Sequence, residues 1–234
     1  MIRIDRRVLY LLLAVLLVGA AEGLAGCGSG ESGPAPGGSG PAAAEDPRGA
    51  VVFLGTSLTA GYGLPTEQAF PALIQQRLDA EKLGYRVVNA GVSGDTSAGG
   101  LRRLDWLLRL PVEVLVVELG SNDMLRGQDA ASLVANLGKI IERTRATYPT
   151  ARLVVAGMRA PPNLGARYVT AFEAVYPEIA DTHGGVLIPF ILDGVAGDAS
   201  LNQADGIHPT EEGHRVLADT VWQALAPVLR EGEP

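Results

Sequence analysis

From residue 50 onward, short apolar runs rich in β-branched residues alternate with longer segments whose apolar residues recur at helical spacing. Short apolar runs bounded by turn residues are typical of buried strands, and a period near 3.6 residues indicates amphipathic helices. The pattern predicts strands over residues 50–54, 86–90, 112–119, 152–157 and 186–188. It predicts helices over residues 70–83, 97–110, 129–148, 166–183 and 210–230. Strand and helix therefore alternate along the chain.

Alternation of this kind indicates a parallel sheet of about five strands with helices on both faces. Ligands of such sheets bind outside the carboxyl ends of the strands, so functional residues are expected directly after predicted strands. The chain has 234 residues, of which 47% are hydrophobic, and this suffices for one sizeable core. We therefore expect a single globular domain over residues 48–234.

Residues 1–26 have the pattern of a targeting segment. Three arginines precede an apolar run over residues 8–21, which is shorter than the ~20 residues of a membrane span. The segment ends in Leu-Ala-Gly before Cys27, which resembles the lipobox of bacterial lipoproteins. The alternative is an ordinary secretory signal with an incidental cysteine. The lipoprotein interpretation is favoured because Cys27 is the only cysteine of the chain.

This interpretation predicts cleavage before Cys27, lipidation of Cys27 and an exported protein anchored to a membrane on its periplasmic or cell-surface side. Two acyl chains on the cysteine give stable anchoring. Residues 27–47 are rich in Gly, Ser, Pro and Ala and contain almost no apolar side chain able to pack. We expect them to form a flexible tether between the anchor and the domain.

Charge and composition narrow the possible partners. The net charge of −7 leaves no sign of the basic patch that a nucleic-acid partner requires. A single cysteine permits no intramolecular disulfide, and no His/Cys cluster has the spacing of metal ligands. We expect no nucleic-acid partner, no metal or organic cofactor, and a monomer.

An acid and a base stand close together in the last long loop. Asp205 precedes His208 by three residues, so its carboxylate can orient one imidazole nitrogen while the other accepts a proton. Two other histidines are present; His183 lies at a predicted helix end, and His214 lies inside the last helix, on its surface or packed against it. Only His208 combines a loop position with an acidic partner. An isolated Asp-x-x-His is otherwise most often a solvated loop.

Three further residues suit acyl transfer. Ser57 follows the first strand in a Gly-x-Ser turn, although a serine there can also simply cap the turn. Thr59 stands where the second glycine of an α/β-hydrolase elbow belongs, which indicates a different hydrolase fold. Gly94 offers a backbone N–H and Asn122 a side-chain amide after the next two strands. Such donors can stabilise the oxyanion of a tetrahedral intermediate.

Ser57, Gly94, Asn122 and His208 occur in the order of the four blocks that name the SGNH hydrolases, also called the GDSL family. The surrounding segments are GTSLTAGY at 55–62, VVNAGVSGDT at 87–96, VELGSND at 117–123 and DGIHP at 205–209. They resemble the thioesterase, arylesterase and lysophospholipase branch of bacterial periplasms. One departure is Thr56, where the Gly-Asp-Ser-Leu motif has aspartate. Its presence puts the positioning of the nucleophile loop in doubt.

The resemblance implies a three-layer α/β/α, flavodoxin-like SGNH-hydrolase fold and a serine esterase. Ser57 would be the nucleophile, His208 the general base and Asp205 its orienting acid. The N–H groups of Ser57 and Gly94 and the Asn122 amide would form the oxyanion hole. The substrate would be a short-to-medium acyl ester or thioester.

The same resemblance places an acyl-binding groove in two loops after the later strands. Met124, Met158, Pro162 and Tyr168 would line this groove, although ordinary packing under a loop would explain them equally well. Two alternatives remain. One is a carbohydrate O-acetylesterase on the same fold, which the low aromatic content of 5% weakly disfavours. The other is a non-catalytic binding lipoprotein.

Overall fold

Five strands form one sheet in which every neighbouring pair is parallel. The computed structural model describes residues 48–231. The strands are β1 (Gly49–Gly55), β2 (Tyr85–Gly91), β3 (Val112–Glu118), β4 (Arg152–Ala156) and β5 (Val186–Ile188). Their order across the sheet is β2-β1-β3-β4-β5. This is the flavodoxin-like order, so the predicted fold class is confirmed.

Helices cover the sheet on both faces. They are α1 (Ser57–Ala60), α2 (Phe70–Ala80), α3 (Ser97–Leu107), α4 (Ser121–Leu125), α5 (Ala130–Thr147), α6 (Ala166–His183) and α7 (Glu211–Arg230). In one layer α2 packs against α7, and in the other α5 packs between α3 and α6. Among residues 48–231, no helix has both the length and the apolar character that crossing a membrane requires.

The central strands are apolar on both faces because both faces are covered. Residues 50–54 of β1 are fully buried, and β3 is buried from Val114 to its end. Successive side chains of a strand point to opposite faces, so a strand between two helix layers has no polar face. On the α2 side, the rings of Phe53 and Phe70 meet edge to face with centroids 5.5 Å apart. These strands fix the position of the loops that follow them.

The predicted elements are all present, with shorter helix ends. The helix predicted over 70–83 ends at Ala80, because Lys82 has a φ of 58° and turns the chain. The helix predicted over 97–110 ends at Leu107, three residues before the position at which Pro111 disfavours helical backbone. Thr210 caps α7 as expected, its hydroxyl accepting from the N–H of Gly213. The short helices α1 and α4 were not predicted.

His214 lies in the interior, so the surface position considered for it is wrong. Only 1% of its surface is exposed, and its Nδ1 accepts the backbone N–H of Phe70 at 3.2 Å. Burial, followed by the nearby charge of His208, lowers the pKa of His214 to about 4. This histidine is therefore a neutral hydrogen-bond acceptor that joins α7 to the start of α2.

Candidate active site

The four segments singled out by sequence lie at one edge of the sheet. Ser57 follows β1, Gly94 lies shortly after β2, and Asn122 follows β3. The segment with Asp205 and His208 directly precedes α7. All strands are parallel, so their carboxyl ends share one edge, and the loops that follow them converge there.

Asp205 organises its own loop and the imidazole together. Its Oδ1 accepts the backbone N–H groups of Ile207 at 2.9 Å and His208 at 3.0 Å. Its Oδ2 lies 2.6 Å from Nδ1 of His208. These bonds hold the pKa of the Asp205 carboxyl well below its usual range, and the bond with the imidazole contributes most to this shift. The carboxylate therefore stays ionised and fixes the tautomer with hydrogen on Nδ1.

The other nitrogen of His208 faces Ser57. Its Nε2 lies 2.9 Å from the Ser57 hydroxyl oxygen, although the two residues are 151 positions apart in sequence. The ring of Tyr62 lies against the imidazole, with centroids 4.5 Å apart. A serine, a base and an orienting acid are thus in continuous hydrogen-bond contact, as nucleophilic catalysis requires.

The nucleophile loop is held by a buried carboxylate. Glu118, the last residue of β3, is fully buried and accepts the backbone N–H of Thr56 at 2.9 Å and that of Thr59 at 3.2 Å. Both threonine hydroxyls donate to the same carboxylate. Burial raises the pKa of Glu118, while these donors oppose the shift. Thr56 thus anchors the loop from the position where the family motif has aspartate.

Close packing at Gly55 leaves no room for a side chain. A Cβ there would lie 1.9 Å from the Thr59 hydroxyl and 2.7 Å from a Glu118 oxygen. The glycine before the nucleophile therefore allows the loop to approach Glu118 closely.

Two backbone N–H groups beside the cavity are candidates for an oxyanion site. Ser57 is the first residue of α1, where a helical N–H has no intrahelical acceptor. Gly94 has a φ of 79°, a conformation that favours glycine. Neither N–H donates to another group within residues 48–231. Both remain able to bind a substrate oxygen.

Arginine side chains fix the loop that carries Gly94. Arg103 donates its Nε to the Asp95 carboxylate at 2.7 Å and its Nη2 to the carbonyl of Gly55 at 3.0 Å. Arg126 donates to the Gly94 carbonyl at 2.8 Å. Arg103 thereby ties the nucleophile loop directly to the oxyanion loop.

Asn122 lies at the second position of α4, with its side chain directed at the same loop. Its Nδ2 donates to the Asp95 carbonyl at 2.9 Å. A primary amide has two hydrogens, so the second remains available for a ligand. Ser57, Gly94 and Asn122 all line the cavity described next.

A cavity of about 550 Å³ opens beside Ser57 and His208. Its lining is mainly apolar, which suits an acyl chain. Met124 and Met158 line it, as do Leu58, Pro161, Phe190 and Leu192. Pro162 and Tyr168 are not among its lining residues, and their place in the groove stays a prediction. Pro162 starts the 3₁₀ turn that follows the lining residue Pro161. The Tyr168 hydroxyl donates to the carbonyl of Gln128, which does not line the cavity.

Some residues contact parts of the site that are distant from them in sequence, and these contacts were not predicted. Glu118, Arg103 and Tyr62 contact the site residues directly, but none was predicted to do so. A glutamate directly after the apolar run of residues 114–117 was the one available signal, because a buried carboxylate requires donors nearby. No comparable signal marks Arg103 in a helix with several arginines.

This geometry defines a serine hydrolase with an apolar acyl cavity. The chain is similar to the GDSL-like lipase/acylhydrolase family over residues 53–216. It is 46% identical over 180 residues to esterase TesA of Pseudomonas aeruginosa, covering 76% of this chain and 89% of the relative. It is 38% identical over 181 residues to thioesterase 1/protease 1/lysophospholipase L1 of Escherichia coli K12, covering 76% of this chain and 84% of the relative.

A solved structure agrees with these relatives. The crystal structure of TesA superposes with a TM-score of 0.73 at 44% identity, covering 76% of this chain and 99% of that one. The chain therefore belongs to the GDSL-like lipase/acylhydrolase family and is an esterase of the SGNH type.

Replacing Asn122 by alanine is expected to lower kcat about 10²–10³-fold on a short nitrophenyl ester, because one oxyanion donor is lost. KM should change much less, since that donor acts mainly in the transition state. Steady-state kinetics measure both constants. Asn163→Ala removes an exposed amide that does not line the cavity and is expected to leave kcat unchanged. An Asn122→Ala enzyme with ordinary turnover would contradict the oxyanion role.

Proposed function

We propose that this protein hydrolyses carboxylic esters and thioesters of short-to-medium acyl chains through an acyl-enzyme on Ser57. The observation that carries the proposal is the unbroken contact from Ser57 through His208 to Asp205 beside an apolar cavity. One relative of this chain is named an esterase, and another is named a thioesterase, protease and lysophospholipase. Both names support hydrolysis of acyl bonds.

The reaction balances with the groups present. His208 Nε2 takes the Ser57 proton as the oxygen attacks the carbonyl carbon, and then gives it to the leaving alcohol or thiol. Asp205 stabilises the imidazolium that forms between these steps. The N–H groups of Ser57 and Gly94 and the Asn122 amide bind the oxyanion. Water repeats the sequence on the acyl-enzyme and releases the carboxylic acid.

The volume and lining of the cavity support a chain of limited length. About 550 Å³ is within the range of pockets that enclose a small ligand. The two methionines in its wall are flexible and fit acyl chains of different shape. Lysophospholipids and other extracytoplasmic esters match this chemistry better than sugars, because the lining offers few polar partners.

The place of action belongs to the same proposal. The basic and apolar pattern of residues 1–26 and the Leu-Ala-Gly sequence before Cys27 support export and lipidation. These residues and the tether at 27–47 lie outside the described part of the chain. We propose an enzyme that works outside the cytoplasm on a lipid anchor, as a monomer and without a nucleic-acid partner.

A series of nitrophenyl esters from acetate to palmitate tests the substrate class. The proposal expects kcat/KM to rise from acetate toward medium chains and to fall once the chain exceeds the cavity. Acetylated sugars serve as the contrasting substrates. A profile that peaks on acetylated sugars would instead identify a carbohydrate O-acetylesterase, and absent turnover on every ester would indicate a binding protein.

A further inference from the structure

Large hydrophobic side chains are exposed mainly around the mouth of the cavity. Within residues 48–231, seven such side chains are exposed, and five belong to segments that also supply residues to the lining of the cavity. These five, called the apolar rim, are Tyr62, Val92, Leu125, Leu164 and Ile207. Tyr62, Leu125 and Ile207 line the cavity itself, and each is more than half exposed.

The remaining two exposed side chains lie toward the opposite edge of the sheet. Trp106, 64% exposed, is near the end of α3, which runs from the site back toward the start of β3. Val186 is the first residue of β5. Single exposed hydrophobic residues are normal, but a cluster around one opening marks an interaction surface.

Two arginines lie near the rim, and the one ionised carboxylate bonded to a rim residue in the described part of the chain, Asp205, is paired with His208. No carboxylate lines the cavity among the described residues, and Arg159 lines it with its guanidinium above the Phe190 ring. Arg126 is exposed beside Gly94. Neither arginine forms an ion pair within residues 48–231. Guanidinium groups beside apolar side chains match a surface that presents phosphate above hydrocarbon.

The length of chain before the domain permits the rim to face a membrane. Residues 27–47 comprise 21 residues, which span at most ~70 Å when extended. They join the domain at the amino end of β1, and the seven residues of β1 rise ~23 Å to the edge that bears the site. A chain anchored at Cys27 is therefore long enough to let the opposite edge turn toward the same lipid surface.

We propose that the apolar rim docks on a phospholipid surface, so that acyl substrates enter the cavity directly from the lipid. The purpose of docking rests on the proposed esterase function, but the docking itself rests on the exposed side chains and their charges. Tyr62, Leu125 and Ile207 would contact the acyl region, while Arg126 and Arg159 would reach the headgroup phosphates.

A polarity-sensitive fluorophore on a cysteine tests which face meets the lipid. Full-length chains carrying Leu164→Cys or, as the matched control, Trp106→Cys are labelled and mixed with phosphatidylcholine vesicles. Labelling of the unsubstituted chain measures any contribution from Cys27. The emission of the Leu164 probe is expected to shift to shorter wavelength, and that of the Trp106 probe is expected to stay as in water.

A charge placed in the rim tests the contact independently. Leu125→Glu, combined with the Leu164 probe, is expected to raise the vesicle concentration needed for half of the shift about tenfold, because the transfer of a leucine side chain from water into the lipid is lost. Trp106→Glu adds the same charge away from the rim and should leave that concentration unchanged.

A Leu164 probe that stays in water, or shifts no more than the Trp106 probe, would overturn the docking proposal. An unaltered response in Leu125→Glu would do the same, since the rim would then contribute nothing. Loss of the esterase function is recognised separately, as absent turnover of soluble esters, and leaves the fluorescence result unaffected.

Discussion

Ser57→Ala is expected to lower kcat on a short nitrophenyl ester about 10⁶-fold, the loss typical of a nucleophile that works with its base as one unit. The hydroxyl lies 2.9 Å from Nε2 of His208 and opens into the cavity, so alanine removes the group that attacks the carbonyl. The fold should not change, because the side chain donates to no structural partner. Initial rates with protein purified from each variant measure the effect.

Covalent labelling with a fluorophosphonate tests the role of Ser57 as nucleophile without a measurement of turnover. The intact protein is expected to bind the reagent covalently, and Ser57→Ala to bind none. Ser132→Ala is the control, because Ser132 is an exposed serine of α5 away from the site. Rapid esterase activity in Ser57→Ala, or undiminished labelling, would remove the nucleophile assignment. An intact protein that the reagent does not label would instead favour the binding-protein alternative.

Asp205→Asn is expected to lower kcat about 10⁴-fold at neutral pH while leaving the loop in place. The amide oxygen of asparagine can still accept the N–H groups of Ile207 and His208 that Oδ1 accepts now. Its NH₂ group, however, donates to Nδ1 and forces the imidazole proton onto Nε2. His208 can then no longer accept the proton of Ser57.

The matched control for this variant lies in the same loop region. Asp198 is exposed and holds the N–H and hydroxyl of Ser200, with no contact to the triad. Asp198→Asn is therefore expected to retain activity even if the loop loosens. Thermal unfolding followed by circular dichroism shows whether each variant stays folded. Equal activity of Asp205→Asn and the unsubstituted enzyme would show that His208 needs no acidic partner.

The strands and helices were predictable because their signals are local. β3 contains an unbroken apolar run from Val114 to Val117, and Thr210 before α7 is a standard N-cap. Because alternating strands and helices form a parallel sheet, the segments that follow the strands are expected at one edge of that sheet. The closeness of Ser57 and His208 follows from this topology, since both lie at the carboxyl edge.

The supporting contacts were not predictable, because they depend on tertiary geometry. Glu118 reads in sequence as the end of a strand, yet it accepts four donors from the nucleophile loop. Arg103 reads as one of several helix arginines, yet it joins two catalytic loops. The sequence likewise did not reveal that the Tyr168 hydroxyl donates to the carbonyl of Gln128.

The loop that holds Asp205 and His208 also ties activity to the completion of folding. The acid and base are neighbours in sequence and can form their contact locally, whereas the serine is 151 residues earlier, at the end of the first strand. A chain emerging from its amino end has its nucleophile long before its base. Only when α7 has packed onto a finished sheet can Ser57 meet His208. The nascent polypeptide therefore lacks an assembled Ser57–His208 pair, and the first hydrolytic turnover marks a molecule in which the segments after β1 and before α7 have come together.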